Sequence, residues 1–172
     1  MSYSCPFAQR VWITRNYKGL QDKIKLVPID LQNKPAWYKE KVHPENKDPA
    51  KKEFGEELIK YVDTFTKDVF GSFKGDSLTQ ASASFEYLEN ALGKFDGPFF
   101  LGEFSLVDIV YIPFIERFQI AFSELYKHDI TAGRPKFATW IEELNNNDAY
   151  KQTKLANPQE FVGFVKKVFL GQ

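Results

Sequence analysis

The hydrophobic positions of this chain change their rhythm near residue 48. Beyond it, DPAKKEFGEELIKYVDTFTKDVF sets Phe54, Leu58, Tyr61, Val62, Phe65 and Val69 at helical spacing. SLTQASASFEYLENALGKF repeats the pattern with Phe85, Leu88 and Leu92 on one face. SLVDIVYIPFIERFQIAF is apolar almost all round, which predicts a helix buried at the centre of its domain. RPKFATWIEELNNN and PQEFVGFVKKVFL are two further amphipathic stretches, and DGPFFLGEF is a turn-rich connector. Before residue 48 the pattern is mixed. PFAQRVWITRNYK (6–18) reads as a helix opened by Pro6, whose missing N–H costs nothing in a first turn, and stopped at Gly19. IKLVPI (24–29) reads as a strand, with Pro28 favouring an edge or an end. PAWYKEKV (35–42) reads as a short helix, and HPENKDP as a linker. One strand cannot satisfy its own backbone groups, so 24–29 calls for partners that the pattern does not supply.

Composition narrows the function classes. With 172 residues, 43% of them hydrophobic, there is material for one medium or two small cores. Lys plus Arg (23) balances Asp plus Glu (23), which argues against a general nucleic-acid binder. No apolar run reaches the ~18 residues of a membrane span. The single cysteine cannot form an internal disulfide, which fits a reducing compartment. The expectation is a cytoplasmic protein, with a plastid as the other address. Cys5, His43 and His128 have no metal-ligand spacing and no Cys-His protease signature.

Cys5 stands immediately before Pro6, at a predicted helix start. Unpaired N–H groups and the helix dipole favour an anion there, and a thiol reacts as its thiolate. Arg10 and Lys34 add positive potential if the fold brings them near. A bare intracellular cysteine is more often a small buried hydrophobe; the Cys-Pro-aromatic opening of a helix followed by a strand reverses that preference. Cys5-Pro6-Phe7-Ala8 has the layout of a thioredoxin-type C-x-x-C site with Ala8 in place of the second cysteine. A one-cysteine site cannot resolve its own mixed disulfide and needs an outside thiol, for which glutathione is the obvious cellular candidate.

SYSCPFAQRVWITRNYKGLQDKIKLVPIDLQNKPAWYKEKV, EFGEELIKYVDTFTKDVFGSFKGD and GPFFLGEFSLVDIVYIPFIERFQI resemble the lambda-class glutathione transferases of plants, over almost the whole chain. Omega-class transferases and dehydroascorbate reductases are more distant relatives with a similar Cys-Pro-Phe site. The resemblance implies an α/β thioredoxin-like N-terminal domain followed by an all-helical C-terminal domain, glutathione as co-substrate, and a monomer. By position, Cys5 is the implied nucleophile. Pro6 and Phe7 lie beside glutathione, Phe7 through its backbone, and Lys34 meets its glycine carboxylate. Without the family, Lys34 reads equally well as a solvated loop charge. Ser105 and Asp108 match the family's N-capping box; their spacing already predicts reciprocal bonding and a folding role.

The chain departs from the family in one region. The family has a strand before the Cys-Pro pair. After a stretch like HPENK it also has a valine-proline pair with a cis-proline, then two strands and a helix, opening with a Glu-Ser pair that holds the γ-glutamyl end of glutathione. Here Lys47 runs directly into DPAKKE, which matches the start of the helical domain. The expected division is therefore 1–47, a thioredoxin-like unit short of strands before 1 and after 47, and 48–172, the helical domain. The leading expectation is glutathione-dependent thiol transfer on small glutathionylated aromatic compounds such as flavonol conjugates, on mixed disulfides, and on dehydroascorbate. Two alternatives stand beside it. One is conjugation of glutathione to electrophiles, for which Ser4 and Tyr3 supply hydroxyls. The other is a non-catalytic carrier of flavonoid-like ligands. Tyr111, Phe114 and Phe118 are assigned to the core ahead of a ligand wall.

Overall fold

The computed structural model describes residues 5–26, 49–74 and 78–171. Seven α-helices form among them: α1 (Pro6–Tyr17), α2 (Pro49–Ser72), α3 (Leu78–Ala91), α4 (Leu106–Tyr126), α5 (Pro135–Asn146), α6 (Asp148–Lys151) and α7 (Pro158–Val165), the last continued by a π-helical turn, Lys166–Leu170. α1 ends as its sequence predicts, with Gly19 just beyond it at φ 62°. Residues 24–26 have no regular structure. The rest of the predicted strand, the helix at 35–42 and the linker through Asp48 lie outside the described residues, as does Lys34. No strand ladder occurs among the described residues; only isolated bridges pair Phe99 with Gly102 and Leu101 with Glu103. α6 was absent from the sequence pattern, because four residues are too short to show a period. Its start is fixed instead by Asn147, whose side-chain oxygen accepts from the N–H groups of Ala149 and Tyr150.

The core gathers around α4. Thirteen of its residues are buried, which is why its sequence lacks a polar face. α2 contributes Phe54, Leu58, Val62, Phe65 and Val69 to this core, and α3 contributes Phe85 and Leu88. Tyr111 and Phe118 are fully buried, as is Phe114 nearly so. Tyr111 donates its hydroxyl to the Leu58 carbonyl (2.7 Å), tying α4 to α2. Phe118 packs edge-on against Phe65 and Phe70.

The start of α4 is organised by Asp108. Its carboxylate accepts from the Ser105 N–H (2.8 Å) and the Ser105 hydroxyl (2.8 Å). It accepts further from the Phe100 N–H (3.2 Å) and the Trp140 indole N–H (2.8 Å). The cap predicted from Ser105 and Asp108 therefore extends into a junction of α4, α5 and the connector before α4.

α1 joins the helical core through Ile13 and through polar contacts. Its buried residues are Ala8, Gln9, Ile13 and Asn16, two of them amides. Asn16 reaches the Ala149 carbonyl and the Gln152 side chain, and Gln9 reaches Thr153, Glu116 and Arg117. This polar docking fixes the start of α1 relative to α4.

Candidate functional site

Cys5 occupies the N-cap of α1 with extended backbone (φ −85°, ψ 122°), and Pro6 follows as the first helical residue. The two facts are linked: a residue before proline is pushed out of the helical region by the proline ring. The Cys5 carbonyl accepts the Gln9 N–H (3.0 Å), so the cysteine is backbone-anchored to the first turn. Its side chain makes no capping bond and is partly exposed. The thiol therefore sits at the positive end of the helix dipole, beside the first-turn N–H groups.

Phe7 projects from this turn with 55% of its surface exposed. It meets Phe114 of α4 in a T-shaped contact, centroids 5.4 Å apart. Arg10, one turn further along α1, lays its guanidinium over both rings, at 5.1 Å from the Phe7 centroid and 4.9 Å from that of Phe114. Its Nε donates to the Val110 carbonyl (3.0 Å). Burial pulls the guanidinium down to about 10, against the attraction of Asp63, Tyr111 and Cys5. It remains a cation at neutral pH. Arg10 and Cys5 lie on the same end of α1, five residues apart. Lys34, Ser4, Tyr3 and His43 lie outside the described residues. His128 packs beside the Phe122 ring.

Below this surface lies a polar cluster that sequence reasoning did not single out. Arg117 Nη1 donates to Gln9 Oε1 (2.9 Å) and to the Pro113 carbonyl (2.8 Å). Gln9 Nε2 donates to Glu116 Oε2 (3.1 Å) and to the Thr153 carbonyl (2.7 Å). Glu116 Oε1 accepts the Leu155 N–H (2.9 Å). The signal was present: Glu116 and Arg117 are adjacent charges in the middle of a largely apolar stretch of α4, where burial demands partners. Pro113 contributes as well. It has no N–H to give the Ile109 carbonyl, so the α4 backbone ladder is interrupted one residue before Val110. The carbonyls of Val110 and Pro113, on this stretch, serve Arg10 and Arg117.

Among the described residues no group of three His, Cys, Asp or Glu could hold a metal ion, and no helix is long and apolar enough to cross a membrane. The arrangement offers one nucleophile, a helix start, a nearby cation and an exposed aromatic ring.

Comparisons with known proteins bear on the same residues. The family model described as "Glutathione S-transferase, N-terminal domain" matches residues 4–51, and "Glutathione S-transferase, C-terminal domain" matches 35–143. Arabidopsis thaliana glutathione S-transferase L3 is 55% identical, over 98% of this chain and 86% of the relative. Glutathione S-transferase L1 of the same plant is 57% identical, over 90% and 80%. Its L2 counterpart, named as chloroplastic, is 46% identical, over 97% and 68%. The L3 comparison runs over 203 positions against the chain's 172 residues, so at least 31 of them have no counterpart here. Among solved structures, glutathione transferase Omega 2C of Trametes versicolor matches with a TM-score of 0.74 at 20% identity, over 99% of this chain and 97% of that one. A Leishmania enzyme described as a unique trimeric glutathione transferase matches with a TM-score of 0.76 at 18% identity, over 97% of this chain and 47% of that one.

Proposed function

This chain belongs to the glutathione S-transferase family, in its plant lambda class, with glutathione as co-substrate, and we propose that it is a cysteine-type thiol transferase whose nucleophile is Cys5. One observation carries the reading: the only cysteine of the chain occupies the N-cap position of α1, where a helix start favours an anion and Pro6 holds the backbone extended. A hydroxyl-type site merely stabilises the thiolate of glutathione. A protein thiol in that place attacks sulfur itself.

The cycle has two displacements. The Cys5 thiolate attacks the glutathione sulfur of a mixed disulfide, a Cys5–glutathione disulfide forms, and the other thiol leaves as its thiolate. A glutathione thiolate then attacks the glutathione sulfur on Cys5, releasing oxidised glutathione and restoring the Cys5 thiolate. With a glutathione thioether as substrate, the first step instead breaks the carbon–sulfur bond. The carbon departs with the electron pair and takes a proton, so the net change is reduction of the substrate and oxidation of two glutathiones to the disulfide. Aromatic carbonyl compounds such as flavonols suit this, because the departing pair is delocalised. Dehydroascorbate belongs to the same proposed range.

Pro6 and Phe7 border the glutathione in this reading, and Lys34 pairs with its glycine carboxylate. The division into a glutathione-binding unit at 1–47 and a helical unit at 48–172 is part of the proposal. The L3 relative has aligned positions with no counterpart here, which is in keeping with strands missing from the first unit. The lone thiol supports a reducing compartment, the cytoplasm or a plastid, and the lambda relationship a monomer.

The test is an intact mass before and after oxidised glutathione, with thiol-transfer and conjugation assays on the same preparation. One glutathione adduct, reversed by excess glutathione and absent from Cys5→Ser, together with transfer lost in that variant, is the expected result. Transfer undiminished in Cys5→Ser, or conjugation exceeding transfer, overturns it. Apolar ligand binding with no adduct and no turnover indicates a carrier.

A further inference from the structure

Gln9 is 3% exposed, and its side chain lies between opposite charges. Its Oε1 accepts from Arg117 Nη1 (2.9 Å), while its Nε2 donates to Glu116 Oε2 (3.1 Å) and to the Thr153 carbonyl (2.7 Å). An amide carries an acceptor and two donors on one planar group, and here the acceptor and both donors are used. Neither a carboxylate nor an ammonium can serve that set, and an apolar side chain would leave buried polar groups unserved. The backbone N–H of the same residue donates to the Cys5 carbonyl (3.0 Å). Gln9 therefore holds the backbone of the nucleophile on one side and, on the other, α4 and the segment that follows α6. Burial of apolar surface is non-directional and tolerates a small slide or rotation of a helix; three directional bonds do not. Asn16, the second buried amide of α1, lies at the far end of the helix, and its bonds to the Ala149 carbonyl (3.5 Å) and Gln152 (3.4 Å) are longer. The tight polar contacts are at the end of α1 that carries Cys5.

We propose that Gln9 is the positioning residue for Cys5: its side-chain bonds across the interface of α1 and α4 set where the Cys5 sulfur stands when it meets the glutathione sulfur. This deepens the thiol-transfer reading and rests on it. Exchange at sulfur is an in-line displacement, with the attacking, central and leaving atoms on one axis. A misplacement of about 1 Å in such an attack can cost ~100-fold in rate while the substrate stays bound. Gln9 is buried and acts through the first turn of α1, so its loss slows the exchange at saturation and leaves the affinity for the disulfide unchanged.

The test follows formation of the Cys5–glutathione disulfide by intact mass at rising concentrations of oxidised glutathione, which gives a maximal rate and a half-saturating concentration. Gln9→Met keeps the bulk and the unbranched shape of the side chain and removes all three bonds. Its maximal rate is expected to fall about tenfold, with half-saturation within about twofold of the wild type. Gln9→Asn, one carbon shorter, cannot reach all three partners and decides the matter where Gln9→Met does not fold; its maximal rate should fall at least about threefold. Asn16→Leu loosens the same interface away from Cys5 and should leave the maximal rate within about twofold. Iodoacetamide needs no alignment with a bound partner, so it should alkylate Cys5 in the Gln9 variants at close to the wild-type rate. An equal slowing in Asn16→Leu, or an equal slowing with iodoacetamide, overturns the proposal, because the cause is then a loosened fold or an altered thiol. A rise in half-saturation that accounts for the whole effect overturns it as well. Wild-type adduct formation that the Gln9 variants match in rate overturns this proposal and leaves thiol transfer standing. No adduct on the wild type removes thiol transfer and the proposal with it.

Discussion

Gln9 and Arg117 hold each other across the interface of α1 and α4, with Gln9 Oε1 accepting from Arg117 Nη1 at 2.9 Å. The bond lies one helical turn from Cys5, so a buried polar contact, together with Ile13 in the core and the Phe7–Phe114 contact, sets the nucleophile's position. Arg117 also lies 3.7 Å from Glu116, and both side chains are almost fully covered. Removing one partner of such a pair leaves the other charge uncompensated. Arg117→Ala is expected to destabilise the fold by ~3 kcal/mol. Urea denaturation checks it, and a loss under ~1 kcal/mol would mean the cluster is solvated and carries little energy.

Asp108 should be as costly to remove, for a different reason. Asp108→Ala orphans the Trp140 indole N–H and the Phe100 N–H inside the core, at ~1–3 kcal/mol for each unsatisfied group. Its acid–base behaviour gives a second, signed prediction. Burial pushes the Asp108 carboxyl up from its ordinary value, and the donors of Trp140, Ser105 and Phe100 only partly oppose this. The folded chain then holds the proton more tightly than the unfolded one, whose carboxyl titrates near ~3.9. Across the window from there to the raised value, stability falls as pH rises, then levels off. The melting temperature of the wild type minus that of Asp108→Asn should follow this course. A difference that grows with pH would show that the four donors outweigh burial.

The connector before α4 makes its own demand. Gly97 has φ 119°, and a Cβ placed there would lie 2.2 Å from the Gly102 carbonyl oxygen. The obstacle is backbone and cannot swing away. Gly97→Ala should therefore cost ~1–3 kcal/mol, through both the left-handed φ and the collision. Because this turn delivers the Phe100 N–H to Asp108, a double substitution with Asp108→Ala should cost less than the sum of the two. Thermal melts of the two single variants and the double variant test this; strict additivity would separate the turn from the cap.

What the sequence made legible followed from periodicity and local chemistry. The helices with long apolar stripes, the buried α4, the cap at Ser105 and Asp108, and Pro6 opening α1 all announce themselves within a few residues. The docking of α1 did not. Its buried face holds Gln9 and Asn16, which resemble surface residues until their partners at Glu116, Arg117 and 149–153 are known, more than a hundred residues away. Arg10 is a similar case. Its charge near Cys5 was foreseeable from spacing on one helix, whereas the Phe114 ring and the Val110 carbonyl that hold it belong to another. Long-range polar contacts leave no period in either segment.

Pro6 offers a way to separate the position of Cys5 from the stability of the fold. Its ring keeps Cys5 extended, and its lack of an N–H costs nothing at the first helical position. Pro6→Ala preserves every hydrogen bond of α1 and adds one N–H to the first turn. The unfolded chain gains freedom, which costs ~0.4–1 kcal/mol. In the folded chain, Cys5 can enter the helical region, and the thiol then spends part of its time turned away from the helix start. The expected result is a melting temperature within a few degrees of the wild type and thiol transfer reduced several-fold in kcat/KM, with Cys5 still alkylated by iodoacetamide. A collapse in melting temperature would make Pro6 a folding residue. Unchanged transfer would show that the Gln9 N–H bond to the Cys5 carbonyl suffices to hold the nucleophile in place.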